Sequence, residues 1–406
     1  MARIESSKRK EKGSSVEIPV APDVLIWARE SIGKTIEEVA AQLNVSEKTI
    51  ESWEIGKERP TLNFVRALTR SYKRPLAVFF LPERPKELSS PHDFRTLPGE
   101  SVLPISSKTR LAMRRARRLQ SIATELKEES DSFFHANIES AKLSDDPEAL
   151  ASTMRKTLGV TFSTQSNWKK DSEAMDQWKK SVESLGILVF QMSFPLEDAR
   201  AFSFTDGGMP VIVLNSKDAL AARTFSLFHE LGHVLLNEGG ICDTTKGQIE
   251  ENALHVLPSK HAKSLEAFCN YFAGAFLISK DDLSNHRLTE GRDSSYKWPD
   301  RTLGALAKDF RASKEVVLRR LLILGLTTRE FYQLRRDSWK DIEKIRKPIK
   351  GIKRNIPKEC FQQNGAPLIS LVLESYRNEK ITTGDVADYL GIRVKHIPRV
   401  EKLLEA

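Results

Sequence analysis

Between Pro22 and about Leu81, apolar residues recur every three or four positions and are separated by short polar breaks. This spacing predicts a compact unit of amphipathic helices. Thr35 and Ser46 stand where the N-caps of the second and third helices are expected, and Asn44 stands at a tight turn between those two helices.

The following stretch is rich in proline and is expected to form an ordered but irregular linker, because proline interrupts continuous helix. A long amphipathic helix is predicted from about Ser107 to Ser130. Its arginines lie on more than one face, so either they form a solvated surface or some of them meet acids or phosphate. They are Arg110, Arg114, Arg115, Arg117 and Arg118.

The middle of the chain changes from helical to strand periodicity. A helical pattern over residues 171–185 ends at Gly186, and apolar segments of strand length follow at residues 187–192, 201–204 and 211–214. Gly207 and Gly208 separate the last two segments, and glycine tolerates the positive φ of a hairpin turn. The sequence therefore predicts a small antiparallel sheet just before a helix that begins near Ala219.

Two helices at residues 303–310 and 314–324 resemble a helix-turn-helix pattern, for which a packing role is expected. The last 60 or so residues begin with a basic stretch, continue as a helical hairpin pattern around Ile381 to Asp385, and are expected to form a small appended domain. The predicted fold class is mainly α with a small antiparallel β-sheet, that is, α+β.

Composition limits the class of protein. At 406 residues the chain exceeds the size at which one hydrophobic core stops growing, so two or three domains are expected. No apolar run is long enough to span a membrane, and no apolar segment follows the basic N-terminus, so a cytoplasmic location is expected. Cys242, Cys269 and Cys360 fit neither a disulfide framework nor a Cys-x-x-Cys site, and they are interpreted as reduced and structural. The formal charge of +9 favours a polyanionic partner, most commonly nucleic acid.

The segment from His229 to His233 reads His-Glu-Leu-Gly-His. Residues four apart project from one face of a helix, so the two histidines can share one metal ion. Glu230 would then lie beside the first ligand, in the position of a general base. The alternative is two histidines on an ordinary polar helix face.

A catalytic zinc normally has three protein ligands, so a third must come from elsewhere in the chain. Glu266 is the best candidate, because it lies among apolar positions of a second predicted helix, where an acid is costly unless it is paired or bound to metal. A salt-bridged helix acid is the alternative reading of Glu266. Competing ligands occur in an intervening polar stretch: Asp243, Glu250, Glu251 and His255.

The motif at His229, followed by Glu266-Ala-Phe-Cys-Asn270-Tyr-Phe-Ala, resembles the ImmA/IrrE family of metallopeptidases. The strand-like segment from Pro210 to Asn215 and the Asp93-Phe94-Arg95 element are also similar to family features. Residues 46–60 resemble the recognition-helix signature of the Cro/XRE-type helix-turn-helix that members often carry. The chain departs from the family pattern at Cys269, where alanine is usual.

The resemblance implies a zincin-like metallopeptidase domain in which His229, His233 and Glu266 bind the ion and Glu230 deprotonates water. Zinc is the expected metal, and manganese remains an alternative. The implied substrate is a peptide bond of a partner protein, such as a small helix-turn-helix repressor or an antitoxin, cut after a stress signal. An edge strand, either 201–204 or 211–214, is expected to hold the extended substrate by strand addition.

The recognition helix of the N-terminal module would face the DNA major groove, and two basic side chains just after it would lie near phosphates. Acidic residues lower its positive potential, so protein docking is the alternative role. The expected contacts are Glu47, Lys48, Thr49 and Ser52 with DNA, and Lys57 and Arg59 with phosphate.

The predicted organisation has five parts, and a homodimer is left open. A rival function is a non-cleaving transcriptional regulator whose peptidase-like domain senses a ligand or metal, although such a sensor has no need for Glu230.

The five predicted parts are a disordered basic tail at 1–16, a helix-turn-helix domain at 17–85, a linker with the basic helix at 86–135, the metallopeptidase domain at 136–345 and a C-terminal helical domain at 346–406.

Overall fold

The structure, a computed structural model, describes residues 16–86, 92–93, 105–129, 140–242, 261–343 and 355–405. The chain divides into two compact units. Described residues 16–86 and 105–113 belong to the first unit, and the remaining described residues belong to the second. Most of the predicted tail and part of the predicted linker lie outside the described residues, so those expectations stay predictions.

The first unit is a helical bundle, as the apolar spacing predicts. A 3-10 helix at Leu76–Phe80 follows its last helix, and a longer helix, α5 (Ser107–Glu128), begins in this unit and continues in the second. The preceding helices are α1 (Pro22–Glu30), α2 (Ile36–Leu43), α3 (Glu47–Glu54) and α4 (Leu62–Tyr72).

Local capping explains where α2 and α3 begin. The Thr35 hydroxyl accepts a hydrogen bond from the Glu38 amide, and the Glu38 carboxylate accepts one from the Thr35 amide, which forms a capping box. Asn44 ends α2 in the left-handed region at φ 55°. Ser46 then caps α3 by accepting a hydrogen bond from the Thr49 amide. These positions agree with the sequence predictions.

Among the described residues, the second unit contains a five-stranded sheet with the order β1-β5-β3-β4-β2. Strands β3 and β4 form the predicted hairpin and pair antiparallel, whereas β2 runs parallel to β4. The sheet is therefore mixed and not wholly antiparallel, because β2 and β3 leave a position between them that β4 fills, parallel to β2 and antiparallel to β3. The strands are β1 (His92–Asp93), β2 (Leu188–Met192), β3 (Ala201–Phe204), β4 (Val211–Asn215) and β5 (Gly240–Cys242).

The expectation that β3 or β4 supplies a free edge is wrong. Strand β3 lies between β4 and β5, and β4 lies between β3 and β2. Strand β5 covers the side of β3 that the hairpin alone would leave open, and β1, from a segment far from the hairpin in sequence, pairs with β5. Local periodicity identifies strands but does not reveal which distant segments pair with them.

Helices account for most of the second unit, so the prediction of a mainly helical protein with a small sheet is confirmed. No helix in the described part of the chain has the length and apolar character needed to cross a membrane. Besides the continuation of α5, the helices are α6 (Pro147–Thr157), α7 (Phe162–Asn167), α8 (Asp171–Glu183), α9 (Leu220–Leu235), α10 (His261–Leu277), α11 (Lys280–Ser284), α12 (Asp300–Asp309), α13 (Lys314–Ile323), α14 (Arg329–Glu343), α15 (Ile356–Asn364), α16 (Ala366–Arg377), α17 (Thr383–Leu390) and α18 (Ile397–Leu404).

An aromatic cluster fixes the central helix α9 between α8 and α10. Trp178 of α8 meets Phe228 of α9 edge-on at 5.0 Å between ring centroids, and Phe228 stacks on Phe276 of α10 at 4.1 Å. Such rings contribute large buried areas and a preferred geometry. From Thr224 to Leu235 every residue of α9 is buried, so its polar side chains face the protein interior.

The helices at the end of the chain belong to the second unit and contact its helix α8. Lys179 of α8 donates hydrogen bonds to the carbonyls of Phe361 and Gln362, near the C-terminal end of α15, at 3.1 and 2.9 Å. The α12–α13 pair, expected to pack, carries buried Val317 and Leu321 in the same core cluster as α9 and α10.

Candidate metal centre and helix-turn-helix module

Helix α9 brings its two histidines together as their spacing predicts. The Nε2 atoms of His229 and His233 lie 3.2 Å apart, and neither side chain is exposed to solvent. Adjacent turns of one helix place residues four apart on the same face. Both ring nitrogens therefore point to a common position inside the protein.

Helix α10 brings Glu266 to the same position. Its two carboxylate oxygens lie 3.3 Å from Nε2 of His229 and 3.1 Å from Nε2 of His233. The Glu266 side chain retains 24% of its exposure, whereas the histidines retain none. The competing ligands Asp243, Glu250, Glu251 and His255 lie outside the described residues.

A glycine allows α9 and α10 to approach this closely. A methyl group added at Gly232 would lie 3.1 Å from Sγ of Cys269 and 3.3 Å from its Cα. Such separations are shorter than ordinary van der Waals contact, and the protein interior is already close-packed. Gly232 thus serves the close packing of the two helices.

The three side chains have the chemistry and the spacing of a metal site. Within the described residues, they form a group whose donor atoms all lie within 4.8 Å of one another. A tetrahedral zinc with bonds of about 2.0–2.1 Å holds its ligand atoms roughly 3.3 Å apart, close to the separations found here. Two histidine nitrogens and a carboxylate therefore fit a divalent metal, and the set does not discriminate zinc from manganese.

A backbone carbonyl orients one of the rings. Nδ1 of His233 lies 3.1 Å from the carbonyl oxygen of Glu238. Asn237 makes this contact feasible, because its positive φ of 56° turns the chain back toward the end of α9. A partner of this kind favours the tautomer in which Nε2 is free to bind metal.

Glu230 is held by a strand residue. The hydroxyl of Ser203 in β3 donates a hydrogen bond of 2.7 Å to Oε2 of Glu230, and both side chains are fully buried. Oε1 of Glu230 has no hydrogen-bond partner among the described residues. One carboxylate oxygen is thus fixed by the protein and the other is available for chemistry.

Burial and the neighbouring charges shift the pKa values of the Glu230 and Glu266 carboxyl groups in opposite directions. Burial raises the pKa of Glu230 above its ordinary value, although the two histidines and the Ser203 hydroxyl oppose this change. Burial also tends to raise the pKa of Glu266, but the interactions with His229 and His233 outweigh it and hold that pKa well below its usual range. The site therefore contains a firmly ionised Glu266 beside a Glu230 that binds protons more readily than an exposed glutamate.

Sequence reasoning did not find Ser203. The signal was present, because a serine lies between Phe202 and Phe204 in a strand whose other positions are apolar and fully buried. A hydroxyl in that setting requires a buried partner. The identity of the partner depends on the position of α9 over β3 and could not be read from the strand alone.

In the first unit, an ion pair joins α1 to α3. The guanidinium of Arg29 donates two hydrogen bonds to the Glu54 carboxylate, at 2.7 and 2.9 Å. Both side chains are largely buried. Arg29 also donates to the carbonyl of Lys34, so it holds together α1, α3 and the connection between α1 and α2.

The predicted DNA contacts lie on or just after α3. Lys57 and Arg59 are exposed beyond the end of the helix, as are Glu47 and Lys48 at its start. Thr49 and Ser52 are half-buried, and Thr49 is engaged by the cap. The structure places these residues on α3 and in the segment just after it, and their contacts with DNA remain a proposal.

Comparison with known families gives two matches. Residues 182–322, which include α9 and α10, match the M78 peptidase family model described as the IrrE N-terminal-like domain. Residues 25–79 match a helix-turn-helix model. A search of curated proteins gives no match. The predicted order, a helix-turn-helix module followed by an ImmA/IrrE-like peptidase domain, is confirmed.

Proposed function

We propose that this chain, which carries a helix-turn-helix module followed by an IrrE N-terminal-like peptidase domain, is a metal-dependent regulatory endopeptidase that cleaves a partner protein. The two matches support a regulator with a peptidase-like domain. The observation that carries the finer proposal is the buried cluster of His229, His233 and Glu266 with Glu230 beside it. A domain that only sensed a metal would have no need for that additional buried acid.

In this proposal His229, His233 and Glu266 hold the metal. A bound zinc ion would supply Lewis acidity to the scissile carbonyl and lower the pKa of a nucleophilic water. Glu266 contributes a negative charge that offsets the charge of the ion, and the Glu238 carbonyl holds the His233 ring in orientation. Manganese would satisfy the same donor set.

Glu230 transfers the proton from the attacking water to the leaving amine. Its Oε1 accepts a proton from the attacking water and returns it to the leaving amine, while Oε2 stays bonded to Ser203. The complete burial of Glu230 matters here, because it raises the carboxylate's affinity for a proton. A glutamate with a raised pKa is a better base than an exposed one would be at neutral pH.

The expected substrate is a protein that acts with DNA, such as a small helix-turn-helix repressor or an antitoxin. The N-terminal module would bring the peptidase to DNA, or to that partner, through Glu47, Lys48, Thr49 and Ser52 with Lys57 and Arg59 nearby. A DNA-binding module acts where the DNA is, so the cytoplasm is the compartment we expect. Cleavage in response to stress belongs to the same proposal.

Metal analysis tests the first part of the proposal. The purified wild type should carry about one zinc or manganese ion per chain, and His233→Ala should lose it. His396→Ala is the control, because this histidine lies on a different element from the cluster and its loss should leave the metal content unchanged. Equal metal content in wild type and His233→Ala would reject the site.

A cleavage screen tests the second part. The wild type and Glu230→Gln are each co-expressed with helix-turn-helix repressors encoded near this gene, and the repressors are followed by immunoblot and mass spectrometry. Degradation by the wild type alone, with metal retained in Glu230→Gln, supports the endopeptidase. Degradation by both proteins removes Glu230 from the mechanism. A metal-loaded wild type that cuts none of them favours the non-cleaving regulator.

A further inference from the structure

The helices at the end of the chain repeat the geometry of the N-terminal helix-turn-helix, although neither family match extends to them. An offset of 347 residues, from Thr35 to Thr382, aligns α2 with α17. It aligns α3 with the 3-10 helix at Val394–His396 and the first five residues of α18. Over residues 35–54 and 382–401 seven of the twenty aligned positions are identical. The identical pairs are Thr35 and Thr382, Val39 and Val386, Ala40 and Ala387, Leu43 and Leu390, Lys48 and Lys395, Ile50 and Ile397, and Glu54 and Glu401.

The two segments begin and turn in the same way. Thr382 forms a capping box with Asp385, as Thr35 does with Glu38. Helix α17 has eight residues, like α2, and it ends at Gly391 in the left-handed region at φ 65°, the position that Asn44 occupies after α2. A left-handed residue at this point reverses the chain into the following helix.

Matching positions are also buried in both segments. Val39 and Val386 are fully buried, and Ile50 and Ile397 retain 1% and 5% of their exposure. These are the inner positions at which the two helices of each motif pack on their neighbours. The repeat is thus present in the packing as well as in the chain direction.

The same ion pair fixes the recognition helix in each case. In the first unit Arg29, near the end of α1, bonds Glu54 at 2.7 Å. At the end of the chain Arg377, the last residue of α16, bonds the equivalent Glu401 at 2.8 and 2.6 Å. Helix α16 therefore supports α18 as α1 supports α3.

The two recognition helices differ in charge. Residues 46–55 contain three acids and one base, whereas residues 393–402 contain four bases and one acid. The single acid, Glu401, is already paired with Arg377. The four bases are exposed and, among the described residues, they have no ion-pair partner; they are Arg393, Lys395, Arg399 and Lys402.

We propose that residues 366–404 form a second helix-turn-helix that binds double-stranded DNA through the exposed, basic face of α18 and the 3-10 turn before it. In this motif the second helix lies in the major groove and presents its N-terminal residues to base edges. Arg393, Lys395, Arg399 and Lys402 contact phosphates, and the exposed Val394 can meet a thymine methyl group. The proposal concerns a surface remote in sequence from the metal cluster and does not depend on peptidase activity.

Charge reversal in the full chain tests this second motif. Binding to a fluorescently labelled, mixed-sequence duplex of about 30 base pairs, roughly three helical turns, is measured by anisotropy at several salt concentrations. Lys395→Glu/Arg399→Glu should weaken binding about tenfold and reduce the slope of log affinity against log salt by roughly 2, because two phosphate contacts are lost. The matched control is Lys156→Glu/Lys308→Glu, which makes the same charge change at exposed lysines of α6 and α12 and should bind like the wild type.

The same binding measurement is repeated in protein whose N-terminal module carries two charge reversals, so that this module contributes little to DNA binding. In Lys48→Glu/Lys57→Glu protein the remaining affinity should depend on Lys395 and Arg399. Circular dichroism and melting temperature establish that each variant is folded. The milder Arg399→Gln replaces any variant that does not fold, and it should change the salt slope by about 1. If Lys395→Glu/Arg399→Glu leaves the affinity and the salt slope unchanged in both backgrounds, the proposal is overturned and this face is left to a protein partner. An equal loss of affinity in the matched control would overturn it as well.

Discussion

The hydroxyl of Ser203 and the carboxylate of Glu230 form a hydrogen bond of 2.7 Å between two fully buried side chains. This bond connects the sheet to the central helix at the residue that we assign to proton transfer. It leaves Oε1 as the oxygen of Glu230 without a partner among the described residues. The strand thus determines which way the carboxylate points.

Ser203→Ala should lower stability and activity without loss of metal. The buried carboxylate oxygen loses its donor, which costs about 2 kcal/mol of unfolding free energy. A carboxylate that is no longer held should reduce partner cleavage by about tenfold to a hundredfold, because small misplacements of reacting groups have large effects. Urea unfolding, metal analysis and the cleavage assay measure the three quantities.

Ser226→Ala is the control for this prediction. Ser226 lies on the same helix as Glu230 and is fully buried, but its hydroxyl has no partner among the described residues. Its removal should therefore be nearly neutral. Equal effects of the two substitutions would mean that the bond to Glu230 has no special role.

Gly232→Ala should weaken metal binding by separating α9 from α10. The new methyl group would meet the side chain and backbone of Cys269, three residues after Glu266 on the same helix. Overpacking of this kind costs about 1–3 kcal/mol. Competition with a fluorescent chelator should show at least a tenfold loss of affinity, roughly 1.4 kcal/mol.

Gly304→Ala is a suitable comparison for that substitution. There the new methyl group would meet only the flexible end of the Lys314 side chain, so the helix propensity of alanine should make the change neutral or stabilising by up to about 1 kcal/mol. Unaltered metal affinity in Gly232→Ala would show that the helices can separate without moving Glu266.

Arg29→Ala should destabilise the helix-turn-helix unit. It leaves Glu54 largely buried without its cation, for which a cost of about 3 kcal/mol is typical. Hydrogen exchange of amides in α1 and α3 should accelerate, while exchange in α9 stays unchanged. Arg70→Ala, an exposed arginine of α4, should have little effect. Slow exchange in α1 after loss of Arg29 would contradict a stabilising role for the pair.

Glu183 should make stability depend on pH. Burial raises its pKa from 4.5 to about 7, although Lys179 and the Ala366 amide oppose the shift. The folded protein thus binds this proton more tightly than the unfolded chain. The stabilisation is fully present below pH 4.5 and is lost as the pH rises through about 7.

Glu183→Gln removes this titration. Relative to the variant, the wild type should lose up to about 3 kcal/mol of unfolding free energy between pH 5 and pH 8. Urea unfolding across that range measures the difference. Glu197→Gln, at an exposed glutamate, should follow the wild type at every pH. A constant difference between wild type and Glu183→Gln would show that Glu183 keeps its ordinary pKa.

Much of the local structure was predictable because its causes are local. The caps at Thr35 and Ser46, the left-handed turn at Asn44 and the hairpin of β3 and β4 depend on residues close together in sequence. The spacing of His229 and His233 likewise determines that they share a helix face. Glu266 was singled out because an acid among apolar helix positions needs a partner, and the structure brings it within 3.3 Å of both rings.

The sequence by itself determined the helical class, the order of the two matched modules and the pair of histidines on one helix, since periodicity and spacing act along a single element. Only the tertiary structure decided that β5 covers β3, that Ser203 holds Glu230, and that Arg377 of α16 pairs with Glu401 of α18. These features depend on contacts between segments far apart in the chain. Such contacts depend on the packing of whole elements, which no local pattern encodes.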